Sequence, residues 1–438
     1  MSLAGEVTVT GFANGGAGVA HDADGRVVFV RGALPGERVS IAYDDQRASF
    51  AKAHVVEVIE ASEHRVDPLC PAAAAGAGCC DLAYAEPGYA ARLRADALAD
   101  VLRRIGRFTP GDGRTPEAPG LRALADDPTG WRVRTRPAVG PSGEVGLRVR
   151  GSADLITVPC AGPVPTMLTG LADLGARPGT ELAVALGSDG ARHVAELAPA
   201  APVGGGRGRR ADGRGRRADG RGRRAAQSAR GRRSAARSTR LLDGAESVTQ
   251  ELGGHRWEVP VTGFWQAHRA APEAYARTVR EMVAQAGIPD RPLRVWDLYG
   301  GAGVLGAALL DGAADGGPAV AGIELVETDA GALAAAERAL AGEPVRIRRG
   351  DVAGVVADLP APDVVIADPP RAGAGAAVIE AVTGAAPRVV IHIGCDAGAF
   401  ARDLRDYVER GYRVLDWRAF DAFPLTHHVE AIALLTGP

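Results

Sequence analysis

A thiol and a carboxylate near the C-terminus raise the first question. The stretch "RVVIHIGCDAGAF" (388–400) reads as an apolar strand that delivers Cys395 to its end, followed by helical spacing. The stretch "DAFPLTHHVEAIALL" (421–435) brings His427, His428 and Glu430 to the start of another apolar strand. A thiolate can add covalently to an electron-poor carbon, and a nearby carboxylate can collect a proton from the adduct. That pair suits methylation at C5 of a uracil ring. C5 is a poor nucleophile until a thiolate on C6 turns C4–C5 into an enolate. The C5 proton must then leave before the thiol can depart. Cys395 is the candidate nucleophile and Glu430 the candidate base. A free thiol has a pKa of about 8.5, so the site must favour the thiolate, and the neighbouring histidines are the candidate source of positive charge. The plain alternative is a buried structural cysteine, which is common.

A methyl donor needs a pocket, and "DLYGGAGVLG" (297–306) offers one. Glycines after a strand allow a tight turn and close approach of backbone to a ligand. Gly301, Gly303 and Gly306 fit the dinucleotide spacing, and Glu324 is placed to accept hydrogen bonds from ribose hydroxyls. The layout alone serves dinucleotides and S-adenosylmethionine equally. "DVVIADPPRAGAG" separates the two. Asp368-Pro369-Pro370 makes a stiff corner after a buried strand, and such corners hold a planar base in many nucleic-acid methyltransferases.

The elements that must position these residues follow from periodicity. From about Leu241 the chain alternates strands and helices: "RVWDLYGG", "AVAGIELVE", "VRIRRGDV", "DVVIADPP", "RVVIHIGC" and "YRVLDWRAFDAF" are the strands. That pattern predicts a parallel, doubly wound sheet with its site at the C-terminal strand edges. Residues 4–60 alternate apolar and polar residues between glycine turns, which predicts a small β-barrel. A helix is expected from about Pro87 to Arg104. Residues 130–200 read as strands again. In "WRVRTR", Arg132, Arg134 and Arg136 alternate, so they are expected on one strand face, available to RNA phosphates.

Composition limits the partners. The chain has 438 residues, enough for two or three domains, and no apolar run reaches the roughly 20 residues of a membrane helix. The N-terminus lacks a basic start and an apolar core, so a cytoplasmic location is expected. Net charge is -2, but residues 203–240 hold 14 Arg and two Asp, a local +12 against -14 elsewhere. This tract repeats "RGRRADG" without an apolar seam and is expected to be disordered, either a tolerated insertion or an RNA-attracting arm. Cys70, Cys79, Cys80 and Cys160 stand apart from Cys395; in a reducing compartment such a set suggests metal rather than disulfides.

On these motifs the chain resembles the bacterial RNA 5-methyluridine methyltransferases, S-adenosylmethionine-dependent enzymes acting on tRNA or ribosomal RNA. The resemblance spans nearly the whole chain apart from 203–240. It implies a TRAM-like, OB-like barrel (1–62), a cysteine loop, helix and central β-rich domain (63–260) and a Rossmann-like methyltransferase domain (261–438). "FWQAHRAAPEAY" (264–275) resembles the segment that opens the catalytic domain. The resemblance implies cofactor contacts from Gln266, Asp297, Tyr299, Gly301, Gly303, Asp351 and Asp368, and target-base contacts from Phe264 and Pro369. It implies a monomer that binds a flipped-out uridine. It also implies that Cys70, Cys79, Cys80 and Cys160 hold a [4Fe-4S] cluster, with zinc or no metal as alternatives.

Two departures stand out. "GAGCCDL" puts Ala77 where the family has a ligand and Cys79 two residues later. Gly394-Cys395-Asp396-Ala397 replaces the family's Ser-Cys-Asn-Pro, and Asp396 is expected to raise the thiol pKa. These departures motivate a rival reading, an RNA-binding or redox-sensing iron–sulfur protein on a decayed methyltransferase fold.

Overall fold

The computed structural model describes residues 5–109, 111, 115–198, 238–288, 291–314 and 317–438. Most of the arginine-rich tract expected to be disordered lies outside the described residues.

The N-terminal unit is one six-stranded sheet: β1 (Gly5–Thr8), β2 (Gly11–Ala13), β3 (Ala17–His21), β4 (Val27–Arg31), β5 (Arg38–Gln46) and β6 (Phe50–Glu60). The order is β1-β5-β6-β4-β3-β2. Alternating side chains, among them Val28, Val30, Val39, Ile41, Ala51 and Ala53, fill its interior. This is the barrel that the period-two pattern predicts.

A cysteine-bearing loop follows, with a single turn α1 (Pro71–Ala74), and then α2 (Pro87–Arg104), which starts on Pro87 at its first position. The buried face of α2 is Ala90, Leu93, Arg94, Ala97, Leu98, Val101 and Leu102, at helical spacing. Leu98 and Leu102 pack with Phe400, Leu404 and Tyr407 of the C-terminal region. Each such buried leucine contributes roughly 1.5–3 kcal/mol. Strand β7 (Leu121–Ala123) also leaves the middle region and pairs in parallel with the edge of the C-terminal sheet. The expected boundary at 260 therefore does not separate two independent cores.

Short strands β8 (Arg134–Thr135), β9 (Ala138–Val139), β10 (Val145–Arg148), β11 (Leu155–Ile156), β12 (Glu181–Leu186), β13 (Arg192–Leu197) and β14 (Thr239–Asp243) form the central seven-stranded sheet. A hairpin, β15 (Ser247–Leu252) and β16 (His255–Pro260), leads out of it.

The C-terminal part contains α3 (Ala271–Gln285), β17 (Leu293–Leu298), α4 (Val304–Ala314), β18 (Val320–Glu327), α5 (Ala330–Ala339), β19 (Val345–Arg349), α6 (Val352–Val355), β20 (Val364–Ala367), α7 (Ala376–Gly384), β21 (Val389–Gly394), α8 (Ala397–Val408), β22 (Arg413–Asp421) and β23 (Glu430–Thr436). Its sheet runs β19-β18-β17-β20-β21-β23-β22-β7. The first five strands are parallel, and β23 is antiparallel to both neighbours. Helices cover both faces, which is why β20 is an unbroken apolar run and β21 is apolar but for the buried His392, rather than alternating. The order reverses between β17 and β20, so a crevice opens there at the C-terminal strand edges. Among the described residues no helix is long and apolar enough to cross a membrane.

Candidate functional site

Register brings the thiol and the carboxylate together. The β21–β23 ladder ends with Gly394 opposite Ala431. Cys395 follows β21 directly and Glu430 opens the antiparallel β23, so the two strands deliver them to the same end of the sheet, near enough for the Glu430 charge to raise the thiol. Cys395 is half-buried and Glu430 is buried. Asp368 follows β20, the strand on the other side of β21. The thiol and Arg371 line one cleft with Pro369, Pro370 and Phe400, and Glu430 and Asp368 lie within electrostatic reach of the thiol.

Burial governs the titration of this group. It raises Glu430 well above the usual carboxylate range, and Asp368 adds to the rise. Burial pushes Asp368 up to about 7. Burial pushes the Cys395 thiol up to about 11; Glu430 and Asp368 add to the rise, while the Arg371 guanidinium opposes it. Two expectations change here. His428 is pulled down to about 4, by burial first and then by its cationic neighbours, so it is neutral and supplies no positive charge to the thiol. Arg371 does so instead, with Nη2 lying 3.0 Å from His428 Nε2. Asp396 is not among the groups that raise the thiol. It is the N-cap of α8, its Oδ1 accepting the Ala399 N–H at 2.8 Å. Asp replaces Asn at this cap with little change, because both accept that bond equally well.

Sequence reading missed Arg371, although it was quoted within "DPPRAG", because only tertiary packing turns it toward the thiol. It also missed Tyr275. This side chain is 1% exposed, its hydroxyl has no partner, and it lies in the field of Glu430, Asp368 and Cys395. Behind the Pro-Pro corner, Asp403 accepts the Ala374 N–H at 2.7 Å and holds the loop that carries Arg371.

The glycine turn lies one strand away. Asp297 is buried, its Oδ2 accepts the Gly306 N–H at 3.0 Å, and burial pushes it up to about 7. Its carboxylate shapes the turn instead of facing the crevice. Tyr299, Gly301 and Gly303 all have positive φ, of 58°, 56° and 79°. A Cβ on Gly303 would strike Leu340, whereas one on Gly301 would meet nothing within 4 Å. The turn thus packs on one side and opens on the other. Glu324 does not reach it. Glu324 sits mid-strand and pairs with Arg348 at 2.7 Å. Glu327 ends β18, and its Oε2 accepts the Gly301 N–H at 3.1 Å. Three residues along a strand of period two reverse the side chain, so the two acids point to opposite faces. Asp351 is exposed just past β19, at the same edge.

Around the crevice, Phe264 is 68% exposed, Trp265 is buried and Gln266 is half-buried. Trp257 Nε1 donates to Ala302 O at 2.8 Å and ties the β15–β16 hairpin to the glycine turn. The arginines of "WRVRTR" do not form one free face. Arg134 donates from Nη1 to the carbonyls of Val261 (3.1 Å) and Gly263 (2.8 Å), bracing the segment before Phe264. Burial lowers it to about 10. Arg132 stacks on Trp131, with 4.5 Å from guanidinium carbon to ring centre, and faces the cysteine group. Strand β8 holds only two residues here, so the expected alternation never develops.

The four N-terminal cysteines do converge. Their sulfurs lie within 4.8 Å of one another, and Ala77 sits among them as packing. Their loop docks on the segment that carries Glu430. Leu82 N–H donates to Leu425 O at 2.9 Å, and Asp81 binds the His427 backbone N–H at 3.0 Å and its ring Nδ1 at 2.6 Å. From the other side, Arg94 makes a two-pronged pair with Asp421, each contact 2.7 Å. The barrel also touches this segment: a Cβ on Gly16 would lie 2.7 Å from the His427 Cβ.

Comparison with known proteins agrees with this geometry. A family model described as TRAM domain matches residues 5–56, and one described as tRNA (Uracil-5-)-methyltransferase matches residues 333–437. A protein named as an uncharacterized RNA methyltransferase from Corynebacterium efficiens is 41% identical over 98% of this chain and 94% of its own. The 23S rRNA (uracil(1939)-C(5))-methyltransferase of Halomonas elongata is 32% identical over 99% of this chain and 89% of its own. The crystal structure of Pyrococcus abyssi tRNA (uracil-54, C5)-methyltransferase with S-adenosyl-L-homocysteine shares the fold, with a TM-score of 0.68 at 17% identity, covering 98% of this chain and 99% of that one. Sheet order, glycine turn and sequence relatives agree: the chain belongs to the S-adenosylmethionine-dependent RNA (uracil-5-)-methyltransferases, with a TRAM domain at its N-terminus.

Proposed function

We propose that this enzyme methylates C5 of a uridine in structured RNA through a covalent bond from Cys395. The observation that supports the reading is the antiparallel pairing of β21 and β23, which end and begin beside Cys395 and Glu430, with Arg371 in the field of the thiol. S-adenosylmethionine, when bound, supplies the electrophilic methyl group. The open side of the Gly301 turn, Glu327 for ribose hydroxyls, and Tyr299, Asp351 and Gln266 around it are the residues that would hold it.

The Cys395 sulfur bonds to C6, and the ring electrons move toward C5 and O4. C5 gains the methyl group. Glu430 takes the C5 hydrogen as a proton, the electron pair reforms C5=C6, and the C6–S bond breaks to return the thiolate. Burial raises Cys395, Glu430 and Asp368 alike, and the two carboxylates further disfavour the thiolate, so Arg371 is needed to hold it. Phe264 is exposed at the rim and offers a ring on which an extruded base can stack. The TRAM match and the rRNA-acting relative make ribosomal RNA the first substrate to test. The sensor reading is not favoured, since the family model and the full-length relative are those of RNA uracil-5-methyltransferases.

The test is incubation with labelled S-adenosylmethionine and RNA containing 5-fluorouridine. Fluorine cannot leave as a proton, so a covalent protein–RNA adduct should accumulate, and Cys395→Ala should give none. An adduct that survives Cys395→Ala would refute the assignment.

A further inference from the structure

Cys160 Sγ lies 3.8 Å from Cys70 Sγ, 3.7 Å from Cys79 Sγ and 3.8 Å from Cys80 Sγ. A tetrahedral ion with metal–sulfur bonds of about 2.3 Å sets its sulfurs about 3.8 Å apart, since a tetrahedron's edge is about 1.63 times its centre-to-corner distance. An iron–sulfur cube binds each thiolate at a different corner iron, so its own edge holds the thiolates roughly 6 Å apart. All four sulfurs lie within 4.8 Å of one another, too close for the cube, and the three distances from Cys160 match the spacing around one ion. We propose that Cys70, Cys79, Cys80 and Cys160 hold a single zinc-class divalent ion instead of an iron–sulfur cluster.

Two further observations fit. Four thiolates on one divalent ion leave a charge of minus two, which a buried site must offset. Arg132 stacks on Trp131 with its charge facing Cys160, Cys80 and Cys79, and among the described residues no carboxylate pairs with it. The Ala161 N–H points at Cys70 Sγ from 3.4 Å, as amides do toward thiolates. The vicinal pair also gains a reason. Ala77 has left the ligand set, and Cys79 enters it from beside Cys80, which draws the loop in around a small centre. Asp81, next to Cys80, then carries that order to His427 and the segment that presents Glu430.

The test uses the full chain, purified without oxygen from cells supplied with both iron and zinc. About one zinc per chain with no acid-labile sulfide is expected, in a colourless protein. Cobalt exchanged into the site should absorb at roughly 600–750 nm, as tetrahedral thiolate sites do. Cys79→Ser and Cys80→Ser should each weaken zinc binding at least tenfold. Four irons with four sulfides, a metal-free chain with a Cys79–Cys80 disulfide, or unweakened zinc binding in Cys79→Ser would each overturn the proposal. The readout is metal, so a failure here leaves the methyl-transfer reading standing.

Discussion

Arg371→Gln is the most informative perturbation of the nucleophile. Arg371 opposes the rise in the Cys395 pKa, which burial and two carboxylates push to about 11. An opposite charge at close range shifts a pKa by roughly 1–3 units, so its loss should cut the thiolate fraction by about 10- to 1,000-fold. The more basic thiolate is a better nucleophile, with a slope of about 0.4–0.5, which recovers part of that loss. The net expectation is a fall of roughly 3- to 50-fold in alkylation rate at fixed pH. The assay is iodoacetamide alkylation of Cys395 from pH 7.5 to 9, read by peptide mass spectrometry so that the other four cysteines do not interfere. Below the pKa, log rate should rise one unit per pH unit in both proteins. The Arg371→Gln line should lie parallel and lower. Superimposed lines, or a faster variant, would show that Arg371 does not hold the thiolate.

Three further outcomes are expected. Glu430→Gln leaves no base for the C5 proton, so it should accumulate a methylated covalent adduct on ordinary RNA, visible as a slow band on denaturing gels. Arg94→Met leaves Asp421 without its partner and should cost about 3–5 kcal/mol in urea denaturation; adding Asp421→Leu should recover most of it, because a buried pair is worth little beyond mutual neutralisation. Asp297 has a folded pKa raised to about 7 from 3.8, so its contribution is full below about pH 4 and is lost as pH rises through 7. Asp297→Asn should therefore gain about 3 kcal/mol relative to wild type between pH 5 and pH 8, and an unchanged difference would refute that account.

How far the site was legible depended on what each residue needed. Cys395 and Glu430 were readable because a strand end and a strand start are local features. Glu324, expected beside the glycine turn, pairs with Arg348 instead, and Glu327, three residues on, reaches the turn; the buried run before it leaves no polar face to count from. Glu327 could have been found as the last residue of its strand, just before the turn at Thr328 and Asp329. The basic face at Arg132 and Arg134 did not form because both guanidiniums are consumed internally, one by carbonyls and one beside sulfur. His428 looked like a source of charge, but burial keeps it neutral.

The sequence by itself determined the layers. Period-two runs, buried strands and glycine turns are set by neighbours in the chain, so they fix a barrel, an α/β sheet and a crevice at its switch point. Only the tertiary structure decided which charges meet. Arg371 reaches the thiol, Asp81 reaches His427 across 346 residues of chain, and four cysteines bring their sulfurs within 4.8 Å of one another. Those pairings depend on distances between segments far apart in sequence, and electrostatic effects change steeply over the few ångströms that packing alone sets.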